Sequence, residues 1–204
     1  MPFIEEVTDE SATGEARELL DAERASVGYV ASAVVIEQIS DDALVASRQG
    51  LRDLIRDSVE DGASIGFVLP LDDEVIDAYL ERVAAEVGRG ERIVLLARDG
   101  TGVVGMVHLA LVGWPNGQHR AEVQKLMVHT SARRQGLATR LMDEIEGLAR
   151  ETGRTLLVLD TITASDADPL YRSRGYVEAG EIPDYAGMPD GVLAPTTVFY
   201  KQLV

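Results

Sequence analysis

Residues 120–160 constrain the fold more than any other stretch. The run RAEVQKLMVH (120–129) is β-rich. SARRQGLATRLMDEIEGLARETG follows, with Leu137, Leu141, Ile145 and Leu148 at helical spacing and Gly153 as its stop. TLLVLD (155–160) is then a short, continuous apolar run, the pattern of a strand at the centre of a sheet. Strand 120–129, helix 136–152 and strand 155–160 make a βαβ crossover, which is right-handed and sets its two strands parallel.

Upstream, ERIVLLARDGTGVVGMVHLALVGW holds two β-rich runs around Asp99-Gly100-Thr101-Gly102, a strong hairpin signal. A turn around Pro115-Asn116-Gly117 joins the second run to the strand at 120, so three strands form an antiparallel meander. SAVVIEQI reads as an earlier strand. Ser40 is an N-cap for a helix carrying Leu44, Leu51, Leu54, Ile55 and Val59. Gly62 to Pro70 reads as a loop. A helix from about Asp72 places Val75, Ile76, Tyr79, Leu80, Val83 and Val87 on its apolar side, and Gly88 and Gly90 end it. Downstream come a short helix at Asp166–Arg174, the run GYVEAGEI, a polar loop, and a last strand TTVFYKQL. The expected fold class is α/β with a mixed (α+β) sheet: antiparallel first, parallel later, with helices on both faces. Residues 11–27 read as an amphipathic helix with a narrow stripe interrupted at Glu23. The expected organisation is a helical arm at 1–32 and a single domain at 33–204.

The chain is strongly acidic, with a formal net charge of −16. Such a chain repels nucleic acid and anionic membranes unless it carries a local basic patch. It has no cysteine, which excludes disulfides, thiol catalysis and cysteine metal sites. The first residues, MPFIEEVTDE, are acidic and lack a long apolar run, so the expectation is a cytoplasmic protein without a secretory signal or membrane span. His108, His119 and His129 have no metal-ligand spacing, and no metal is expected.

The local basic patch is Arg133-Arg134-Gln135-Gly136, set where a strand passes through a short loop into a helix. The first N–H groups of a helix lack internal partners and carry partial positive charge, which makes an anion site. Gly136 lets a ligand approach the backbone closely. The matching ligand is a diphosphate; the alternative is an ordinary helix start with solvated arginines.

Arg133-Arg134-Gln135-Gly136-Leu137-Ala138 resembles the Gln/Arg-x-x-Gly-x-Gly/Ala signature of the GNAT superfamily of N-acetyltransferases. The later LYRSRGY resembles that family's Leu-Tyr-x-x-x-Gly-Phe/Tyr, and the likeness spans roughly residues 33–203. RAEVQKLMV, LDT and the tail GYVEAGEIPDYAGMPDGVLAPTTVFYK look like the tabtoxin-resistance acetyltransferase subgroup. The resemblance implies acetyl-CoA as donor. It places the pantetheine arm against the backbone of Leu126, Met127 and Val128, and the pyrophosphate on the N–H groups of Gln135, Gly136, Leu137, Ala138 and Thr139. An asparagine that many members carry to hold pantetheine is Ala164 here; either Ser165 beside it substitutes or the arm is held by backbone alone.

Acetyl transfer to an amine needs a group to take the amine proton and donors for an oxyanion. Without cysteine, direct attack in a ternary complex is favoured. Glu122 lies in a β-rich run, where a buried carboxylate is costly without a partner. Asp160 ends the apolar strand, at the strand end where α/β sheets place ligands. The resemblance implies that both are catalytic carboxylates and that Tyr171 protonates the leaving thiolate. For Glu122 the alternative is an ion pair with a cation such as Arg120, for Asp160 a turn residue or a site for the substrate ammonium, and for Tyr171 a core position. Which carboxylate is the base stays open.

The expected function is N-acetylation of a small-molecule amine, an amino-acid-like antimetabolite or antibiotic. The acidic surface also suits a cationic acceptor such as an aminoglycoside or polyamine. A non-catalytic acyl-CoA sensor and a protein N-acetyltransferase are the rivals. The arm weakly resembles the opening of carboxymuconolactone decarboxylase-like proteins. It docks either on its own domain or on a second copy, so a homodimer is one of two expectations. No nucleic acid or membrane partner is expected.

Overall fold

The computed structural model describes residues 33–203; the helix expected at 11–27 and the arm at 1–32 lie outside the described residues. The elements run β1 (Val35–Gln38), α1 (Asp41–Ala46), α2 (Arg48–Glu60), α3 (Asp73–Gly88), β2 (Arg92–Asp99), β3 (Gly102–Leu111), β4 (Arg120–Val128), α4 (Leu137–Glu151), β5 (Leu156–Ile162), α5 (Asp168–Ser173), β6 (Val177–Gly187) and β7 (Leu193–Gln202). The strands form one seven-stranded sheet in the order β1-β2-β3-β4-β5-β7-β6. Strands β1 to β4 pair antiparallel in sequence. β4 and β5 pair parallel across the crossover. β7 returns between β5 and β6, antiparallel to both. The mixed sheet is therefore as read from the sequence, with one difference in its second half. The expected polar loop after GYVEAGEI is largely a hairpin, because β6 continues to Gly187 and β7 begins at Leu193. Nearly all of β6 is exposed, so no alternation marks it as a strand.

Local chemistry sets the element ends. Ser40 caps α1 by accepting the Ala43 N–H at 3.2 Å. The single helix expected after Ser40 breaks at Ser47. That hydroxyl donates to the Ala43 carbonyl at 2.5 Å and accepts from Arg98 at 2.5 Å, a back-bonding geometry that bends helices. Asp99 Oδ1 accepts the Thr101 N–H at 2.7 Å and the Gly102 N–H at 3.2 Å, which fixes the β2–β3 turn. Residues 131–135 stay outside the helix: Thr130–Ala132 make a 3₁₀ turn and α4 begins at Leu137.

Each face of the sheet has its own core. Leu95, Ala97, Val123, Leu157 and Leu159 pack with Leu141, Met142 and Ile145 of α4 on one side. Val94, Leu96 and Met106 pack with Leu51, Leu54 and Ile55 of α2 and with Ile76, Leu80 and Val83 of α3 on the other. Each fully buried aliphatic side chain contributes about 1.5–3 kcal/mol. Arg48 and Arg52 bridge to Asp77, and Arg56 to Asp73, tying α2 to α3 along their polar edges. Val75, expected on the buried side of α3, is 52% exposed.

Candidate active site

β4 and β5 pair only at Arg120↔Leu156, Ala121↔Leu157 and Glu122↔Val158. Beyond Glu122 the strands part. The cause lies in β4, whose register on β3 slips between Met127↔Met106 and Gln124↔His108. One extra residue enters there, and Lys125 takes φ 55. A bulge of this kind bends its strand and reverses its side-chain alternation. Ala121 and Val123 therefore pack with the α4 core, whereas Met127 packs with the α2–α3 core and Leu126 and Val128 return to the α4 side. The parting strands open a cleft of about 1450 Å³.

At one end of the cleft stands the start of α4. Gly136 is its N-cap at φ 75, in the left-handed region that favours glycine, and no side chain caps the helix. The first helical bond is Arg140 N–H to the Gly136 carbonyl, which leaves the N–H groups of Leu137, Ala138 and Thr139 without a partner among the described residues. Arg134, at φ 62, is exposed beside them. Arg133 is committed elsewhere: its Nε donates to the Val128 carbonyl at 3.0 Å and its guanidinium pairs with Asp61. Asp57 takes the Thr130 N–H at 2.8 Å and the Thr130 hydroxyl at 2.6 Å. The C-terminal end of α2 thus anchors the basic turn from more than sixty positions upstream, at a separation of 72 and 73 residues.

In the middle of the cleft, Glu122 of β4 and Asp160 of β5 line the same space with Tyr171 of α5. Glu122 Oε1 accepts from Gln124 Nε2 at 2.9 Å, and no ion pair joins it to Arg120. Asp160 Oδ2 accepts from the buried Thr196 hydroxyl at 2.9 Å, which also lies 2.8 Å from the Thr161 carbonyl. Each carboxylate keeps its second oxygen without a partner among the described residues. Tyr171 packs on Tyr176 and Phe199 at centroid distances of 5.8 and 6.1 Å. Burial, with the Asp160 charge as second cause, pushes its phenol up to about 12. The phenol is therefore protonated at neutral pH.

A polar network lies beside these groups under α3. Arg92 binds Glu86 at 2.5 Å and Gln124 Oε1 at 2.7 Å. His108 is fully buried, stacked on Tyr79 at 6.3 Å, with Nδ1 3.4 Å from both the Tyr79 hydroxyl and an Arg92 nitrogen. Burial, then Arg92 and Lys125, hold the imidazole well below its ordinary pKa, so it is neutral. Lys125 donates to the Ile65 carbonyl and lies 5.8 Å from the Tyr79 ring centre. Burial, then Arg92, lowers its ammonium pKa, offset in part by Asp160 and Glu122.

The cleft thus brings together Glu122, Asp160, Tyr171, Leu126, Met127, Val128, Arg133, Arg134, Gly136, Leu137, Ala138 and Ser165. Gln135 and Thr139 do not line it, and Gln135 turns back to the Ser131 carbonyl at 3.4 Å. Ser165 bonds Thr161 Oγ1 at 3.0 Å, and its neighbour Ala164 takes φ 58. Lys125, Arg134 and Ala164 all line the cleft in a backbone region that costs non-glycine residues about 1–3 kcal/mol each. Reading the sequence missed Lys125, Arg82, Gln124 and Thr196 in the cleft. The one signal available was that QK interrupts the apolar run of β4. Among the described residues, no group of three or more His, Asp or Glu is placed to hold a metal, and no helix is long and apolar enough to cross a membrane.

Comparison with known proteins bears on this arrangement. The family model described as Acetyltransferase (GNAT) family matches residues 66–176. Among solved structures, yncA from Salmonella typhimurium, determined with its cofactor acetyl-CoA, superposes with a TM-score of 0.68 at 20% identity, covering 84% of this chain and 95% of that one. An N-acetyltransferase from Staphylococcus aureus Mu50 gives 0.68 at 18% identity, covering 85% and 100%. A ribosomal-protein-alanine N-acetyltransferase from Brucella melitensis gives 0.66 at 23% identity, covering 83% and 99%. At these identities the structural likeness is one of fold.

Proposed function

Because the chain belongs to the GNAT family of acetyltransferases, we propose that it moves an acetyl group from acetyl-CoA to the primary amine of a small molecule, by direct attack in a ternary complex. The observation that carries this reading is the parting of β4 and β5 after Glu122, with an uncapped helix start at one end and two half-engaged carboxylates and a neutral phenol in the middle.

The residues present fit the donor. The free N–H groups at the start of α4 and the Arg134 guanidinium suit a pyrophosphate, with Gln135 and Thr139 contributing backbone only. Arg133, tied to Asp61 and the Val128 carbonyl, shapes the turn and reaches the phosphates only if it leaves Asp61. The backbone edge of β4 at Leu126, Met127 and Val128, which β5 no longer pairs, suits a strand-like pantetheine arm, and Ser165 lines the same cleft. When bound, the thioester supplies an activated acetyl carbon. Either Glu122 or Asp160 takes the proton of the attacking amine through its unpartnered oxygen, and the other receives the amine beside it. Tyr171, held neutral by burial, returns a proton to the departing thiolate.

The likeness of RAEVQKLMV, LDT and the tail to the tabtoxin-resistance subgroup supports an amino-acid-like antimetabolite or antibiotic as acceptor. The catalytic domain in this reading is 33–204, with 1–32 as an appended arm.

Calorimetric titration with acetyl-CoA tests the reading. The wild-type chain should bind with one site. An Arg134→Glu, Gly136→Asp double variant, which places negative charge on the phosphate site, should weaken binding by about 100-fold or more. A folded wild-type chain that does not bind acetyl-CoA removes the proposal.

A further inference from the structure

The cleft sorts its charges. In a chain with a net charge of −16, cations find carboxylates readily. Arg48, Arg52, Arg56, Arg92 and Arg98 all do. Arg82 of α3 and Lys125 of β4 have no ion pair among the described residues; Arg120, Arg134, Arg140, Arg150 and Arg154 share this, but of these only Arg134, at the helix start, also lines the cleft. Arg82 makes no hydrogen bond or ion pair to another described residue and lies 5.6 Å from the Tyr79 ring centre. Lys125 reaches the same ring from the sheet at 5.8 Å and spends one of its three donors on the Ile65 carbonyl. Both line the cleft with Glu122 and Asp160, yet neither closes to ion-pair distance with them. The acceptor end therefore presents a cationic pole against Tyr79 and an anionic pole at Glu122 and Asp160. Burial, then Arg92, disfavours the Lys125 charge, and Asp160 and Glu122 offset this only in part.

We infer that the acceptor is a zwitterion, an amine carrying a carboxylate close by, and that Arg82 and Lys125 bind the carboxylate while Glu122 and Asp160 receive the amine. The inference rests on the acetyltransferase reading and narrows it. A carboxylate between Arg82 and Lys125 gains charge-assisted hydrogen bonds from donors the fold leaves unused. A polyamine or aminoglycoside meets like charge at that pole, and neither its second amine nor the two cations find partners. The acidity of the surface as a whole thus points the wrong way: the cleft selects for the opposite sign at one end. The bulge is what brings this about. Without the extra residue, Lys125 would alternate onto the α4 face.

The test is release of CoA thiol from acetyl-CoA with matched acceptors: common L-amino acids, their carboxamides and their decarboxylated amines, with spermidine and kanamycin alongside. The expected result is that free acids lead their carboxamides in kcat/KM by about tenfold or more. In Arg82→Gln and Lys125→Met that lead should fall toward unity, mainly through KM, and Lys125→Arg should keep most of it. Arg82 is exposed, so its variant carries the test if Lys125→Met does not fold. The inference is overturned if carboxamides, spermidine or kanamycin match the free acids, if the lead survives both substitutions, or if no free acid is acetylated by a chain that binds acetyl-CoA. Failure to bind acetyl-CoA at all overturns the proposed function instead, and calorimetry on the same preparation separates the two.

Discussion

Two clusters of charge sit inside this protein, and they differ in how complete they are. Under α4, Glu146 is 3% exposed and both of its oxygens are taken, one by Arg174 at 3.1 Å and the other by Lys201 at 2.6 Å. Arg174 also reaches Asp143 at 2.6 Å. In the cleft, Glu122 and Asp160 each have one oxygen engaged, Lys125 has one donor engaged and Arg82 none. A closed cluster ties α4 to β7 and to the end of α5, and no ligand can enter it without breaking it. An open cluster holds charges apart that would otherwise pair, which is costly unless something else is meant to meet them. Burial alone would have ranked Glu146 as the more arresting carboxylate. Partner counting reverses the order.

The comparison can be broken most forcefully at Glu146. Glu146→Ala leaves the half-buried Lys201 without its anion and Arg174 with Asp143 alone, and should cost about 3 kcal/mol in urea unfolding. The folded fraction should still bind acetyl-CoA with unchanged affinity. Unchanged stability with lost binding would move Glu146 into the functional cluster. Next come the open carboxylates. Glu122→Gln and Asp160→Asn should each lower kcat about 100-fold, or about 3 kcal/mol, with the urea midpoint held. If the two share one proton, the double variant should lose far less than the product of the singles. A full product would mean independent roles.

The smallest effect sharpens the boundary between the clusters. His108 is depressed by burial first, then by Arg92 and Lys125, so the folded state keeps it neutral while the unfolded chain protonates it. Stability from this group is present above the unfolded pKa and is lost as pH falls. The slope should be about 1.4 kcal/mol per pH unit below about pH 6.5, until the folded pKa is reached. His108→Gln should flatten that limb in urea titrations between about pH 5 and 7. A slope that survives the substitution would assign the acid sensitivity elsewhere.

Much of this architecture was legible in residue order because the signals are local. The crossover strand–helix–strand, the Asp99-Gly100 hairpin, the Ser40 cap and the glycine at the start of α4 are each written within a few positions of where they act. What escaped depends on distant partners or on a shift of register. The hydroxyl of Ser47 breaks a helix whose apolar spacing runs on unbroken, and Arg98, which bonds it, is 51 positions away. Asp57 on α2 and Asp61 just after it look like ordinary polar positions, yet they hold the basic turn. Glu146 reads as one more acidic position on an amphipathic helix, and its partners arrive from Arg174 after α5 and Lys201 on β7. Arg133 and Arg134 are adjacent and chemically alike. Asp61 and a carbonyl claim one, and the other is left to the solvent and to whatever anion arrives.

The extra residue in β4 also bears on how this surface can change over time. A strand is a two-beat rhythm, and Lys125 is a held note after which every later beat falls on the other side. Substitutions alter single notes: they exchange one side chain for another at a fixed address. Losing one residue between Gln124 and Met127 would instead straighten the phrase: Leu126, Met127 and Val128, already in step with β3, would keep their faces, and the bend with its extra side chain would go. Substitution thus acts on any wall of this cleft, whereas a change of length here acts on the bend and on the one side chain it supports.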